Sequence, residues 1–271
     1  MKLVFQVFAV IWLSLTLWPT QSDACSCLGG VIAVSPSEGA TNVPTNSEIK
    51  LLVTFGVPRE IALESDDGLV PSTVEVHDDS PVLYLRVRPD QALKAGATYR
   101  LVLEGRPVSS FTTGSGRDET RPHSEGLRSV EFTDGSRSIF GGTSSCGESV
   151  GYSVEISPGV DDQASTEDVW FHVYAAPTAD ALDFSRPTTA VRGGLGFLGR
   201  GACHENLRLG EDRSTVLVLA AVDLAGNESD RTGPEQLSPG AFGGGCSSAI
   251  GGSSVGALLL LSGLLRLRRR S

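Results

Sequence analysis

Short runs of alternating apolar and polar residues dominate the first half of the chain. From Ile49 to Phe55, the apolar side chains of Ile49, Leu51, Val53 and Phe55 share one face, the pattern of a half-buried strand. Similar runs lie at residues 31–34, 74–77, 82–87, 99–103 and 108–113. Turn-forming residues separate the runs, and no window has a helical period. Short strands at roughly ten-residue spacing predict a β-sandwich.

The second half repeats this pattern after residues 115–125, a polar stretch that we interpret as a linker. Alternation returns at 128–133, 152–156 and 169–175. Residues 215–222 are nearly all apolar, as expected of a central strand that is buried on both faces. The predicted fold class is therefore all-β, with two tandem β-sandwiches.

Two apolar segments lie at the ends of the chain. Residues 3–18 follow Lys2 and precede the small residues 22–24, which predicts a signal peptide cleaved after Ala24. Residues 249–267 contain one charge and precede the basic residues 268–270. About 20 apolar residues cross a hydrocarbon core, and a basic end is placed in the cytoplasm. We expect a transmembrane helix with the N-terminus outside; a buried helix of a globular domain is the alternative.

The tail also resembles a known type of signal. A glycine run at 243–245, Cys246 with two serines, the apolar segment and the terminal arginines resemble the C-terminal sorting tails of myxobacterial surface proteins. The resemblance covers 243–271 only. It implies a dedicated sorting protease as a partner, cleavage near Cys246, and Cys246 as the modified position. Many members of that family carry a second cysteine nearby, which this chain lacks.

Four segments of the first predicted sandwich carry landmark residues in a fixed order: 35–44, 49–55, 93–99 and 110–114. Together they resemble a bacterial immunoglobulin-like domain of the type repeated in surface-layer and cell-wall proteins. The resemblance implies that Tyr99 and Phe111 are core aromatics and that Gly96 serves the turn before a strand. It implies no catalytic residue.

In the second predicted sandwich, the apolar strand 215–222 runs into Asp223-Leu224-Ala225-Gly226-Asn227-Glu228-Ser229, and Gly226-Asn227 tolerates the positive φ of a turn. This string resembles the late-strand turn of fibronectin type III-like domains. The expected organisation is a signal peptide (1–24), a cysteine-containing N-terminus (25–30), an Ig-like sandwich (31–114), a linker (115–125), a fibronectin III-like sandwich (126–239), a Gly/Ser-rich spacer (240–248), a transmembrane helix (249–267) and a basic end (268–271).

Four cysteines lie outside the tail, and export permits disulfides. Cys146 and Cys203 are a natural pair across the second half. Cys25 and Cys27 have one residue between them and would close only a tight ring. A redox-active pair is one alternative for them, and lipidation of Cys25 as the mature N-terminus is another.

The charge of the exported part is strongly acidic. The whole chain has 22 Lys and Arg against 32 Asp and Glu. Without residues 1–24 and the four arginines of the tail, 17 basic and 31 acidic residues remain, a net charge of −14. Such a surface repels nucleic acid. We interpret it as a solubilising surface, with calcium loading as the alternative.

Residues of the usual catalytic and metal-binding types lie in patterns that do not indicate chemistry. The histidines, at positions 77, 123, 172 and 204, have no metal-ligand spacing. Gly114-Ser115-Gly116 lacks the strand-to-helix context of a nucleophile elbow, and Gly193-Gly194-Leu195-Gly196 lacks the lysine and helix of a phosphate cradle. Asp161-Asp162, with Glu167-Asp168 nearby, is the best candidate for calcium, although we interpret it as a solvated loop. We predict no catalytic, cofactor-binding or metal residue, and no cofactor.

One strand offers a possible binding face. Trp170, His172 and Tyr174 share one side of 169–175, and an exposed row of this kind binds carbohydrate. We interpret Trp170 and Tyr174 instead as core and rim. The sequence thus predicts a non-enzymatic, exported cell-surface module for adhesion, binding or spacing, with an unknown protein or polysaccharide as ligand. A carbohydrate- or polymer-binding accessory module and an uncharacterised surface hydrolase are the alternatives.

Overall fold

The computed structural model describes residues 29–54, 56–77, 82–135, 149–201 and 205–239. The predicted signal peptide, sorting tail and transmembrane helix, and all five cysteines, lie outside these residues. Within them, no helix has the length and apolarity that a membrane crossing requires. The strands are β1 (Gly30–Ser35), β2 (Ala40–Val43), β3 (Ile49–Thr54), β4 (Ile61–Ser65), β5 (Gly68–Val70), β6 (Ser72–His77), β7 (Val82–Pro89), β8 (Thr98–Leu103), β9 (Arg106–Thr113), β10 (Leu127–Gly135), β11 (Ser149–Ile156), β12 (Trp170–Ala176), β13 (Thr189–Arg192), β14 (Gly194–Arg200), β15 (Thr215–Val222) and β16 (Glu235–Leu237).

A four-stranded sheet and a five-stranded sheet, built from β1 to β9, form the first sandwich. Their strand orders are β1-β3-β7-β6 and β2-β9-β8-β4-β5, and all pairs are antiparallel except β2 with β9. Alternate residues of β3, β7, β8 and β9 point inward and form a common core. Tyr99 and Phe111 are buried there with ring centroids 5.7 Å apart, and Gly96 has a φ of +68° in the turn before β8. The prediction of core aromatics is confirmed.

The second sandwich pairs the sheet β10-β11-β14 with the sheet β13-β12-β15-β16. Its core contains Val169, Phe171 and Val173 on the inner side of β12 and its approach. All eight residues of β15 are buried, as the apolar sequence of 215–222 predicts. The all-β prediction is confirmed for the described residues.

A third apolar cluster joins the two sandwiches, which belong to one compact unit. It contains Leu52 and Tyr84 from the outer face of the first sandwich, and Trp170, Ala190 and Val222 from the outer face of the second. The inner faces of β3, β7 and β15 therefore lie in the core of their own sandwich, and part of the outer face of each is buried against the neighbouring sandwich. The covered part is apolar, although the outer faces of β3 and β7 also carry Lys50 and Arg86.

Candidate functional site

A chain of three polar side chains crosses the junction between the sandwiches. The hydroxyl of Tyr84 on β7 lies 2.9 Å from Nε2 of His172 on β12. Nδ1 of His172 lies 2.5 Å from Oε1 of Glu228, which also accepts a hydrogen bond from the Tyr174 hydroxyl at 2.9 Å. Because an ionised carboxylate only accepts, Nδ1 carries the proton of a neutral imidazole and Nε2 accepts from Tyr84. Burial lowers the pKa of His172, which favours this neutral form, and Glu228 opposes the shift.

Hydroxyl, imidazole and carboxylate stand here in the order of nucleophile, base and orienting acid in hydrolases. The exposure of the side chains argues for another role. Tyr84 has no exposed surface, and His172 is 2% exposed, whereas a nucleophile must contact its substrate. Burial also raises the pKa of the Tyr84 hydroxyl above its usual range. These three side chains therefore act as a hydrogen-bonded link between two sheets.

A buried ionic group lies beside this link. Lys50 on β3 has no exposed surface, and its Nζ donates a hydrogen bond to the backbone carbonyl of Asp223. Burial lowers the pKa of Lys50 to about 8, and the charges of Glu48 and Asp223 oppose the shift. Glu48 in turn accepts hydrogen bonds from Nη2 of Arg86 at 2.7 Å and Nε of Arg88 at 2.6 Å, so the charges are paired.

The predicted acidic loop at 161–168 separates into two environments. Asp168 is 2% exposed and accepts hydrogen bonds from the amide of Ser37 at 2.8 Å and the hydroxyl of Ser35 at 3.1 Å, both in the first sandwich. The interpretation as a solvated loop is therefore wrong for Asp168. Its carboxylate is buried because it accepts cross-sandwich hydrogen bonds that the sequence does not reveal.

Asp161, from the same loop, meets two other aspartates. One carboxylate oxygen each of Asp118, Asp161 and Asp223 lies within 4.8 Å of the others. Asp118 belongs to the segment between β9 and β10, Asp161 to the loop between β11 and β12, and Asp223 follows β15 directly. Asp118 and Asp223 have no exposed surface.

The turn that follows β15 positions Asp223. The amide of Asn227 donates to Oδ1 of Asp223 at 2.9 Å, and its side-chain amide donates to Oδ2 at 2.9 Å. Gly226 has a φ of +85°, which confirms the predicted turn. Burial raises the pKa of Asp223 to about 6, and burial, followed by the neighbouring charges of Asp161 and Asp162, raises the pKa of Asp118.

The predicted aromatic row is fully covered. Trp170, His172 and Tyr174 do share one face, but they are 0%, 2% and 2% exposed, so the face is not available to a carbohydrate. Sequence reasoning placed Tyr174 at a rim and missed Tyr84, Glu228 and Lys50. A partial signal was present for the residues of the first sandwich, since the faces of β3 and β7 opposite the core carry Leu52 and Tyr84 beside Lys50 and Arg86. The candidate disulfide residues Cys146, Cys203, Cys25 and Cys27, the modification site Cys246, and His204 lie outside the described residues.

No protein-family model matches the chain, and no curated protein matches it. Among solved structures, the chain is similar to L,D-transpeptidase 1 of Mycobacterium tuberculosis, with 17% identity, 48% of this chain and 78% of that chain covered, and a TM-score of 0.25. It is also similar to tandem Ig repeats of Dlar, with 15% identity, coverage of 79% and 98%, and a TM-score of 0.25. A third similar structure is the N-terminal part of the bacterial S-layer protein SbsC, with 12% identity, coverage of 78% and 44%, and a TM-score of 0.24.

Proposed function

We propose that this chain is a non-enzymatic cell-surface protein whose two β-sandwiches act as one rigid body in adhesion, binding or spacing, anchored by its C-terminal sorting tail. The buried junction is the observation that carries the proposal. Trp170 and Tyr84 are both fully buried and meet across it with ring centroids 6.3 Å apart. Domains move relative to each other unless their interface is large and apolar. A junction of this kind keeps the loops of both sandwiches at fixed positions.

The polar groups of the junction support the same proposal. The hydrogen bonds among the Tyr84 hydroxyl, the His172 imidazole and the Glu228 carboxylate join two sheets. Buried polar groups that are fully paired specify one arrangement of the surfaces around them. The partner that the module presents its loops to is a surface protein or polysaccharide, and the anchor partner is the membrane.

The surface location is tested by protease treatment of intact cells that express the full chain. External protease should digest the sandwiches, and deletion of residues 243–271 should release the protein into the medium. Recovery of the undigested full chain inside the cells would overturn the proposal. Mass spectrometry of the mature protein tests the tail, since cleavage near Cys246 removes Arg268 to Ser271.

A further inference from the structure

The aspartate cluster described above lies where the segment between the sandwiches meets the second sandwich. Asp118 lies in that segment, and Asp161 and Asp223 lie in loops of the second sandwich. The side-chain amide of Asn227 reaches the carbonyl of Asp118 at 3.3 Å, and Asn46 of the first sandwich donates to the same carbonyl at 2.8 Å. The Asp118 carbonyl is therefore hydrogen-bonded both to the first sandwich and to the turn after β15.

Each carboxylate has one oxygen oriented by a backbone amide. Thr120 donates to Oδ1 of Asp118 at 2.9 Å, Ala164 donates to Oδ2 of Asp161 at 2.6 Å, and Asn227 donates to Oδ1 of Asp223 at 2.9 Å. Within the described residues, the other oxygen of Asp118 and the other oxygen of Asp161 are buried and have no hydrogen-bond donor. A buried carboxylate oxygen without a donor costs free energy unless a cation or a proton satisfies it.

The spacing of the carboxylates fits one cation. Two oxygens that bind the same calcium ion at about 2.3–2.6 Å are at most about 5 Å apart. The ligand atoms of Asp118, Asp161 and Asp223 lie within 4.8 Å of one another. The candidate ligand atoms are all oxygens, and they lie on irregular loops rather than on helices or strands. Such ligands suit calcium better than zinc or magnesium.

The local charge also favours a cation. Lys50 is a positive group close to Asp223, since its Nζ donates a hydrogen bond to the Asp223 carbonyl and its charge acts to lower the pKa of the Asp223 carboxyl. One lysine balances one of the three carboxylates. Asp162, next to Asp161, adds a further negative charge to the field at Asp118. The three carboxylates therefore carry more negative charge than the described residues around them neutralise.

We propose that Asp118, Asp161 and Asp223 bind one calcium ion that fastens the inter-sandwich segment to the second sandwich. The site does not depend on the cell-surface proposal, because it follows from the geometry of three loops. Bound calcium supplies the missing partner for both buried carboxylate oxygens. Loss of the ion leaves the segment held by its hydrogen bonds alone.

Calorimetric titration of the full chain in detergent with CaCl₂ tests the proposal. We expect one binding event per chain, and a thermal unfolding temperature that rises with calcium concentration because the ion binds only the folded state. Asp118→Asn and Asp161→Asn each remove an anionic ligand and should weaken binding at least about tenfold, the loss typical of even an outer-shell partner. Asp212→Asn is the matched control, since Asp212 also accepts a loop amide, from Ser214 at 3.0 Å, but lies outside the cluster.

Three results would overturn the proposal. The first is no binding by the wild-type chain at about 10 mM CaCl₂, above the range of weak extracellular sites. The second is binding that Asp118→Asn and Asp161→Asn leave unchanged, which would locate calcium elsewhere on the acidic surface. The third is tighter binding of MgCl₂ than of CaCl₂. Circular dichroism of each variant in EDTA shows whether it is folded, and Asp161→Asn keeps the test valid if Asp118→Asn does not fold.

Discussion

Tyr84 and His172 meet across the two sandwiches, with the tyrosine hydroxyl 2.9 Å from Nε2 of the imidazole and both side chains buried. Neither residue belongs to the core of its own sandwich. Their hydrogen bond, together with the one from His172 to Glu228, fixes the position of one sheet relative to the other more closely than apolar packing alone. A shift of one sheet against the other would leave these groups unpaired in an apolar environment.

Replacement of Tyr84 by Phe should lower the free energy of unfolding by about 1–3 kcal/mol, because Nε2 of His172 then remains buried without a donor. Urea denaturation of the full chain measures the change. The control is a double-mutant cycle with His172→Gln, which should give a non-additive result because the two residues share one hydrogen bond. Additive losses would contradict a direct link between them.

Trp170→Ala and Phe171→Ala remove neighbouring aromatics from opposite faces of β12. Each substitution should lower the free energy of unfolding by about 3–5 kcal/mol, the usual loss when a large buried side chain is truncated. Only Trp170 lies in the cluster that joins the sandwiches, so only Trp170→Ala should divide the thermal unfolding of the chain into two transitions. Calorimetry distinguishes the two variants, and a single transition for both would contradict the proposed rigid junction.

The stability of the protein should fall as the pH decreases from about 7 to about 5, in part through His172. Burial holds the pKa of His172 below its usual range, Glu228 opposes that shift, and Arg86 and Lys50 add to it. The unfolded chain, whose histidine pKa is about 6.5, therefore binds more protons than the folded chain in this range, and the free energy of unfolding decreases. His172→Gln cannot titrate, so its stability should fall less on acidification.

The comparison with His172→Gln isolates this effect from other groups. Burial also lowers the pKa of His77, which acts in the same direction. The pKa of Asp223, raised to about 6, acts in the opposite direction, because protonation of the folded chain stabilises it as the pH falls through that value. Both groups are common to the two proteins. Equal pH dependence of urea denaturation for wild type and variant would refute the assignment to His172.

In EDTA at pH 7, Asp118→Asn should raise the free energy of unfolding, because the substitution removes a carboxylate charge that burial disfavours. Burial raises the pKa of Asp118, so its ionised form is disfavoured in the folded state, and this penalty applies above the folded pKa. The penalty disappears as the pH falls towards the usual aspartate pKa of about 3.9, so the difference from wild type should vanish near pH 4. Urea denaturation at both pH values measures it. Asp212→Asn should not gain stability at pH 7, because its pKa is lowered rather than raised.

Local patterning was sufficient to predict most of the longer strands. Ile49, Leu51 and Val53 share one face, as their alternation predicts, and they point into the first core. All eight residues of 215–222 are buried, as their apolar run predicts. Strands β2, β4, β5, β13, β14 and β16 were not predicted. Most residues of β4 and β5 are partly or fully exposed and β14 is glycine-rich, which weakens the apolar pattern. The other three contain only three or four residues each.

The junction was harder to predict because it depends on how two sheets meet. Tyr84 lies in a mainly apolar run that predicts a strand whether or not a second sandwich covers it. No local sequence pattern indicates its hydrogen bond to His172, which is 88 positions away. Composition places Asp118 in a polar linker, yet its side chain is fully buried. Its meeting with Asp161 and Asp223 follows from tertiary packing and has no signature in the spacing of the three residues.

The shared face of the two sandwiches has a consequence for the order of synthesis. Leu52 and Tyr84 are synthesised before Trp170 and Val222, the residues that pack with them in the junction. A nascent chain that has folded only its first sandwich therefore presents an apolar sheet face to its surroundings. Such a half-made molecule is a target for chaperones and a candidate for aggregation, and a gene encoding either sandwich alone would yield that species permanently.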